Sequence, residues 1–592
     1  MQALIPGGTA RRGAPHRAGP ARRGRPGRRL RPRPLSRWAA PAGWPALAGL
    51  LLGLLAVGPG LARGFVLSYD MVFVPGPPPS PALLGLAGGP ARPVPSDAVV
   101  YVASLVIPAD ILQKLILLTI FLLACSGAAA LLGRCWQERT GERPPPLACL
   151  AAGVYYTWNP YVAERLVMGQ WALLLGYAGL PWVLRLLCTG PVRIGRGRLV
   201  LALLPAAIGG FAGMVVTGLA AAPAALARGA GRGQRAGRLA VVAAACLLLS
   251  LPWLIPSLIE PLRADPAGAN LFAARADTPF GSLGSLVLLS GIWNAQAVPA
   301  GYGGLPAVFW LVVVAAAGAG YLLVARPARL SPGLGAASLT GLAVAALGVT
   351  SPGRAALRDL ISAWAGFAVL RDGQQYVAAL ALAEAIGLGA VVASAARAAR
   401  VTPATAPGRG RAAAAAAASH AGAALGMAAV LAPVLLLPGL AWGAAGRLQA
   451  VRYPADWMTA RRLMDSDPRP GTVLLLPWAQ YRRYPWNGGE AVFDPWSRLL
   501  ARAVTYNDAL TVGDQTLGQE SAASIQLNRI IAQPGPLTGK LAATGVRYVV
   551  VDAGPLLDGA RAGLATAARL PGARLVIASG DLVVFQLPEG DA

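Results

Sequence analysis

Residues 111–133 read ILQKLILLTIFLLACSGAAALLG, and the next basic residues are Arg134, Arg139 and Arg143. An apolar run of about 18–25 residues is long enough to cross the hydrocarbon core as a helix. This run holds one charge, Lys114, near its start. Lys and Arg beside a span end stay on the cytoplasmic side, so the arginines after Gly133 orient the segment as well as end it.

The same alternation continues outward in both directions. Upstream, residues 41–62 form a first span, preceded by eleven arginines from Arg11 to Arg37 in a Pro/Gly-rich segment. That span is too long for a usual signal core and reads as an anchor. Downstream, spans are expected at residues 147–158, ended by Asn159-Pro160, and at 171–187. Residues 199–227 are expected to form two short helices joined at Gly209-Gly210, with Gly213 nearby. Further spans follow at 239–259, 304–325 and 333–350, then one returning to Arg397 and Arg400 and one exiting near Trp442. Arg193, Arg196, Arg198, Arg228, Arg232, Arg235, Arg238, Arg326 and Arg329 fill the alternate connections. This predicts an α-helical polytopic membrane protein with about eleven crossings, N-terminus cytoplasmic and C-terminus outside. Long outer loops fall at 64–110, 260–303 and 351–375. Residues 1–40 are expected to be a disordered, arginine-rich cytoplasmic tail, and 41–445 the transmembrane domain.

Composition agrees with this class. Charged residues make up 13%, against about 25% in soluble domains, and the mean hydropathy is +0.54. The net charge of +27 is gathered in the N-terminal segment and the inner loops. Its placement points to orientation and contact with anionic lipid, not to nucleic acid. The five cysteines all precede residue 247, without C-x-x-C spacing, which argues against a thiolate metal site. His16 and His420 are the only histidines, so mechanisms that need a histidine cluster are excluded.

From about residue 446 the texture changes. Residues 472–476, 547–551 and 582–587 read as short buried strands, with helical candidates at 497–503 and 536–544. Strands alternating with helices predict a C-terminal extracytoplasmic α/β domain over 446–592.

Polar residues in the outer connections are the candidates for chemistry. Asp70, within Ser68-Tyr69-Asp70-Met71, lies just beyond the first span. A carboxylate there can act as a general base toward a hydroxyl acceptor or hold a divalent cation; otherwise it caps a turn. Between Asn159 and Trp171 the chain carries Glu164, Arg165 and Gln170 at the outer interface. Arg165 could grip a lipid phosphate bidentately while Glu164 or Gln170 bonds a sugar hydroxyl; the alternative is structural pairing with belt aromatics. Arg275 with Asp277, and Arg371 with Asp372 and Gln374, extend the set. Lys114 either reaches a phosphate or snorkels to the interface. Glu384, inside a span, needs a partner. No nucleotide-binding loop, nucleophile elbow or H-E-x-x-H motif is present.

Tyr69-Asp70, the 159–171 segment, FAARADTPFG at 272–281, and LPW at 476–478 with YPWNG at 484–488 together resemble the C-type (GT-C) integral membrane glycosyltransferases. They are most similar to actinobacterial relatives of arabinofuranosyl- and mannosyltransferases. The resemblance implies a catalytic acidic residue in the first outer loop, which falls on Asp70; the second acidic residue of the family's pair is missing here. It implies a cell-wall enzyme that moves a sugar from a polyprenyl-phosphate donor to a glycan or glycolipid on the outer face of the plasma membrane. Tyr69, Glu164, Arg165, Gln170, Trp171, Arg275, Asp277, Arg371, Asp372 and Gln374 would contact substrate, with Arg165, Arg275 and Arg371 on the donor phosphate. Trp478, Tyr484, Trp486 and Asn487 would stack on or bond the acceptor, unless they are ordinary core. The other readings are a transporter of lipid-linked intermediates and a non-catalytic scaffold for envelope assembly.

Overall fold

The structure is a computed structural model that describes residues 40–86, 93–189, 193–229, 231–259, 263–325, 331–405, 411–513, 515–554 and 559–589. The arginine-rich tail at 1–40 lies outside these apart from its last residue, while Pro41–Ala592 forms one compact unit.

Among the described residues, seven helices are long and apolar enough to cross a membrane: Gly43–Leu61, Ala109–Thr140, Trp171–Cys188, Arg232–Ile259, Leu305–Leu323, Gly373–Arg400 and Ala413–Leu436. This is the makeup of a multi-pass membrane protein. An eighth crossing is available if Pro332–Leu347 and Ser351–Ala363, which meet at 90°, count as one broken span. The remaining crossings expected at 147–158 and 199–227 fall on shorter helices, Pro146–Thr157 with 12 residues, Arg196–Ile208 with 13 and Gly210–Leu226 with 17. Among the described residues, seven of the eleven expected crossings are thus long enough to span, or eight with the broken pair, and the others fall on helices that the chain breaks short. At Asn159-Pro160, Asn159 leaves helical geometry, and its side chain caps the next helix by accepting from the Val162 amide. At Gly209-Gly210, a Cβ on Gly209 would lie 2.3 Å from the Ala172 carbonyl oxygen, so only glycine permits this turn against a neighbouring helix.

The helix Gly373–Arg400 is the most enclosed of the seven. It packs against Leu305–Ala325 where Gly387 meets Ala317 and Gly320, a small-residue contact that lets two backbones approach closely. Within it, Glu384 accepts a 2.7 Å hydrogen bond from the Tyr155 hydroxyl, which supplies the partner a buried carboxyl needs.

The C-terminal region holds a five-stranded mixed sheet built from β1 (Thr472–Leu476), β2 (Val504–Thr505), β3 (Val546–Asp552), β4 (Arg574–Ser579) and β5 (Leu582–Gln586). The order is β4-β5-β3-β1-β2. β1 runs parallel to β2 and β3, while β5 is antiparallel to β3 and β4. β3 is buried along its whole length, as suits a central strand covered on both faces. The three strands expected from apolar runs are β1, β3 and β5. The expected helices contract to Trp496–Leu499 and Thr538–Ala542, the first because the chain after Leu500 turns to form β2.

Two strand pairings tie the first long loop to this region. Phe65–Val66 pairs antiparallel with Ala450–Val451. Tyr69 then pairs alongside the second strand of a hairpin made of Tyr481–Arg483 and Ala491–Phe493: its amide donates to the Ala491 carbonyl at 2.6 Å, and its carbonyl accepts from the Phe493 amide at 2.8 Å. Beneath the hairpin, Arg482 is buried between Asp494, at 3.0 Å, and Asp552. Burial pushes the Asp494 carboxyl up to about 7 against the pull of Arg482.

Candidate functional site

The site is built where residues 68–71 lie along the end of the helix Pro160–Val167. Ser68 Oγ donates to the Val167 carbonyl at 2.6 Å, and the Asp70 amide donates to the Met168 carbonyl at 3.2 Å. Gly169 sits at φ +70, and a Cβ there would lie 2.0 Å from the Ser68 carbonyl oxygen. Only glycine permits this contact. Tyr69 adopts a left-handed φ of 43, uncommon for a side chain of its size. Its hydroxyl donates to Gln296 Oε1 at 2.7 Å.

Asp70 is half-buried. Its Oδ1 accepts from the Tyr481 hydroxyl at 2.6 Å, and its Oδ2 faces Gln170 Nε2 at 3.4 Å. Gln170 is itself held by Arg165, whose Nη1 donates to Gln170 Oε1 at 2.7 Å. Arg165 is fully buried and grips Asp372 in a bidentate pair, 2.6 Å from Nη1 and 2.8 Å from Nη2; its Nε bonds Gln374 Oε1 at 2.7 Å. With the second bond from Nη2 to Gln374, all five of its donors are occupied. The guanidinium expected to face a phosphate is here bonded to Asp372, Gln374 and Gln170.

Glu164, one residue earlier and about 100° around the helix, points elsewhere. Its carboxylate accepts from Ser290 Oγ at 2.6 Å and from Gln374 Nε2 at 3.1 Å. Complete burial raises its proton affinity well above the usual carboxylate range, with the Ser290 bond opposing. Ser290 also approaches Asp277, which accepts from the Gly291 amide at 3.1 Å and pairs with Arg275 at 3.4 Å. Burial likewise raises the Asp277 carboxyl, opposed by Arg275. Arg275 keeps 48% of its side chain exposed. Eight of the expected residues thus form one connected chain of polar contacts, running from Asp277 through Ser290 to Glu164, then Gln374, Arg165 and Gln170 to Asp70, with Asp372 and Arg275 attached as side branches.

The other expected residues stand apart from it. Arg371, although adjacent to Asp372, turns the opposite way, over the Phe272 ring at 4.3 Å and toward Glu520 at 3.5 Å. Lys114 donates to the Gly64 carbonyl at 2.9 Å and lies 3.8 Å from Asp110. Trp171 is buried against Phe73, with ring centroids 5.4 Å apart. The aromatics expected to hold an acceptor are largely core. Tyr484 stacks on Trp486 and bonds Asp552, Asn487 bonds the Leu67 and Glu490 carbonyls, and Trp478 donates to Asn528 at 3.0 Å.

Sequence reasoning missed Tyr481, Ser290 and Gln296. Nothing in the local pattern marks them, because each acts through a partner more than a hundred residues away. A divalent cation at Asp70 was the one metal expectation. Among the described residues no three His, Cys, Asp or Glu side chains gather to hold a metal ion, and the contacts of Asp70 named above are a phenol and an amide. The residues present do not fit a protein-built cation site, and no step is derived through one.

The class defined by fold and site is a helical membrane bundle joined to a mixed-sheet region, with a carboxylate held at their junction. No protein-family model matches the chain, and no curated protein matches it significantly. Among solved structures, it is similar to the crystal structure of ArnT from Cupriavidus metallidurans in the apo state. The identity is 15% and the TM-score 0.39, over 93% of this chain and 98% of that one.

Proposed function

We propose that the chain is a cell-envelope glycosyltransferase that moves a sugar from a polyprenyl-phosphate donor to a glycan or glycolipid acceptor. The observation that carries this is Asp70: a half-buried carboxylate, fixed from two sides by Tyr481 and Gln170, where the non-basic connections of the bundle meet the C-terminal region. Fixing a base before the acceptor arrives removes reorganisation from the reacting step. In the reaction, Asp70 takes the proton of the acceptor hydroxyl as the hydroxyl oxygen bonds the anomeric carbon. The bond from that carbon to the phosphate oxygen breaks, and the lipid phosphate leaves with the electron pair.

Arg165 acts here as a positioning residue, since it holds Gln170 against Asp70 and Asp372 beneath it. Glu164, Asp277 and Ser290 brace the same element, and Tyr69 anchors it to Gln296. The arginine pattern of the remaining connections supports an outward-facing site, with residues 446–592 as an extracytoplasmic domain and the N-terminus cytoplasmic. A transporter would place its polar groups along the spans. Glu384 with Tyr155 is one such pair, but the larger network lies at one end, which favours transfer.

Lipid and glycan profiling of a deletion strain tests the reading. Loss of the chain is expected to truncate an envelope glycan and accumulate carrier-linked sugar, and a copy carrying Asp70→Asn is expected to leave both defects in place. Full rescue by Asp70→Asn, or an unchanged envelope in the deletion strain, would overturn it. Reporter fusions placing the C-terminal region inside the cell would do the same.

A further inference from the structure

Of the three arginines singled out in the sequence for the donor phosphate, Arg275 stays half-exposed beside Asp277, at the opposite end of the polar chain from Asp70. Arg165 is saturated, and Arg371 faces away. Another arginine borders Asp70 from the C-terminal region. Arg498 follows the buried Trp496 in the short helix Trp496–Leu499 and reaches back to the first long loop, where its Nε donates to Asp97 Oδ2 at 2.7 Å. Its guanidinium lies 5.4 Å above the Phe493 ring. Phe493 is the residue whose amide pairs with the Tyr69 carbonyl, and its ring meets Tyr481 edge-on at 5.9 Å and Tyr506 at 5.1 Å. Arg498 and Asp70 therefore flank the same aromatic pair. Burial opposes the Arg498 charge, but Asp97, Tyr506 and Asp70 outweigh it and raise its proton affinity.

Three features suit this arginine to an anion. Its side chain is 20% exposed, and that of Asp97 16%, so the pair sits at a rim that is neither saturated core nor open surface. Nε is the only one of its nitrogens with a hydrogen-bond partner among the described residues, which leaves the outer N–H groups of a rigid fork. Asp70, Tyr481, Phe493, Arg498 and Tyr506 are all half-buried, so the base and the cation each keep part of their surface exposed. A fixed guanidinium of this kind matches two phosphate oxygens at once.

We propose that Arg498, tethered by Asp97, is the cation that grips the phosphate of the lipid-linked donor opposite Asp70. The C-terminal region would then bind the donor as well as bracing the base. This rests on the transfer reading above and adds to it the residue that recognises the leaving group.

The test uses the full-length protein in detergent, titrated with decaprenyl monophosphate, inorganic phosphate and phosphatidylglycerol in parallel, beside a thermal melt of each variant. Wild type and Asp70→Asn are expected to bind decaprenyl phosphate alike, and Arg498→Ala about tenfold more weakly. Arg498→Lys keeps the charge but loses the fork and is expected to fall by about threefold; it carries the test if the alanine variant loses its fold. Inorganic phosphate that competes with decaprenyl phosphate in wild type but not in Arg498→Ala supports the same grip. Wild-type affinity in both Arg498 variants overturns the inference while leaving the transfer reading intact, as does a loss confined to Arg275→Ala. Phosphatidylglycerol binding as tightly as the carrier overturns the assignment to the donor. Wild type that binds no decaprenyl phosphate overturns the transfer reading itself.

Discussion

At one end of the bundle, Arg238 donates to the Leu187 carbonyl at 2.8 Å and to the Ala225 carbonyl at 3.1 Å, and Arg228 donates to the Cys188 carbonyl. These are last-turn carbonyls, which any cation near a helix C-terminus can satisfy. At the other end, Arg165 meets Asp372 and Arg498 meets Asp97, pairs separated by 207 and 401 residues. The first kind of contact asks only for a positive charge at a helix end. The second asks for one side chain at one place, brought there by the whole fold. Arginine is gathered at the basic end, where its abundance reports orientation; at the other end only the identity of its partner reports a site.

Three substitutions would break or sharpen that contrast. The largest effect is expected from Arg165→Met. Removing one partner of a buried ion pair strands the other, at about 3–5 kcal/mol, here Asp372 with Gln374 and Gln170. Thermal unfolding in detergent should show a large loss, and a variant melting like wild type would mean that the network bears little load. Next comes Tyr481→Phe, which removes one hydrogen bond to a carboxylate. Such bonds contribute about 1.5–3 kcal/mol to stability, so the melting temperature should fall by less than in Arg165→Met, and transfer measured in membranes should fall roughly ten- to hundredfold as the carboxylate loses its fixed orientation. Unchanged transfer would detach Tyr481 from the reaction. The smallest effect belongs to the basic end. Arg397 lies 3.7 Å from Glu142, with both side chains about half exposed, and Arg397→Ala should change stability by less than about 0.5 kcal/mol. A larger loss there would erase the distinction between the two ends.

Much of the scaffold was legible because membrane spans and buried strands are written in runs of one residue type. The breaks at Asn159-Pro160 and Gly209-Gly210 and the strands β1, β3 and β5 all follow from such local signals. Helix length was less legible: four of the eleven expected crossings are too short by themselves, since a break shortens the helices beside it. The candidate site was legible in its polar members. Asp70, Glu164, Arg165, Gln170, Asp277 and Gln374 do join, yet the direction of each side chain was not. Arg371 and Asp372 are neighbours that face opposite partners, and no spacing rule states which way each will turn. The aromatics at 484–487 were marked by their bulk, but bulk serves a core as well as a ligand, and here Tyr484 and Trp486 stack within the hydrophobic interior.

Tyr481 reaches Asp70 across 411 residues of chain. A ribosome adding about 5–20 residues per second needs on the order of 20–80 s to cover that interval. Throughout it the first loop is already made while the hairpin that will clasp it does not exist. The carboxylate at position 70 thus waits with one flank bare until synthesis is nearly over. Each copy released before the hairpin has been made therefore carries Asp70 without its phenolic partner.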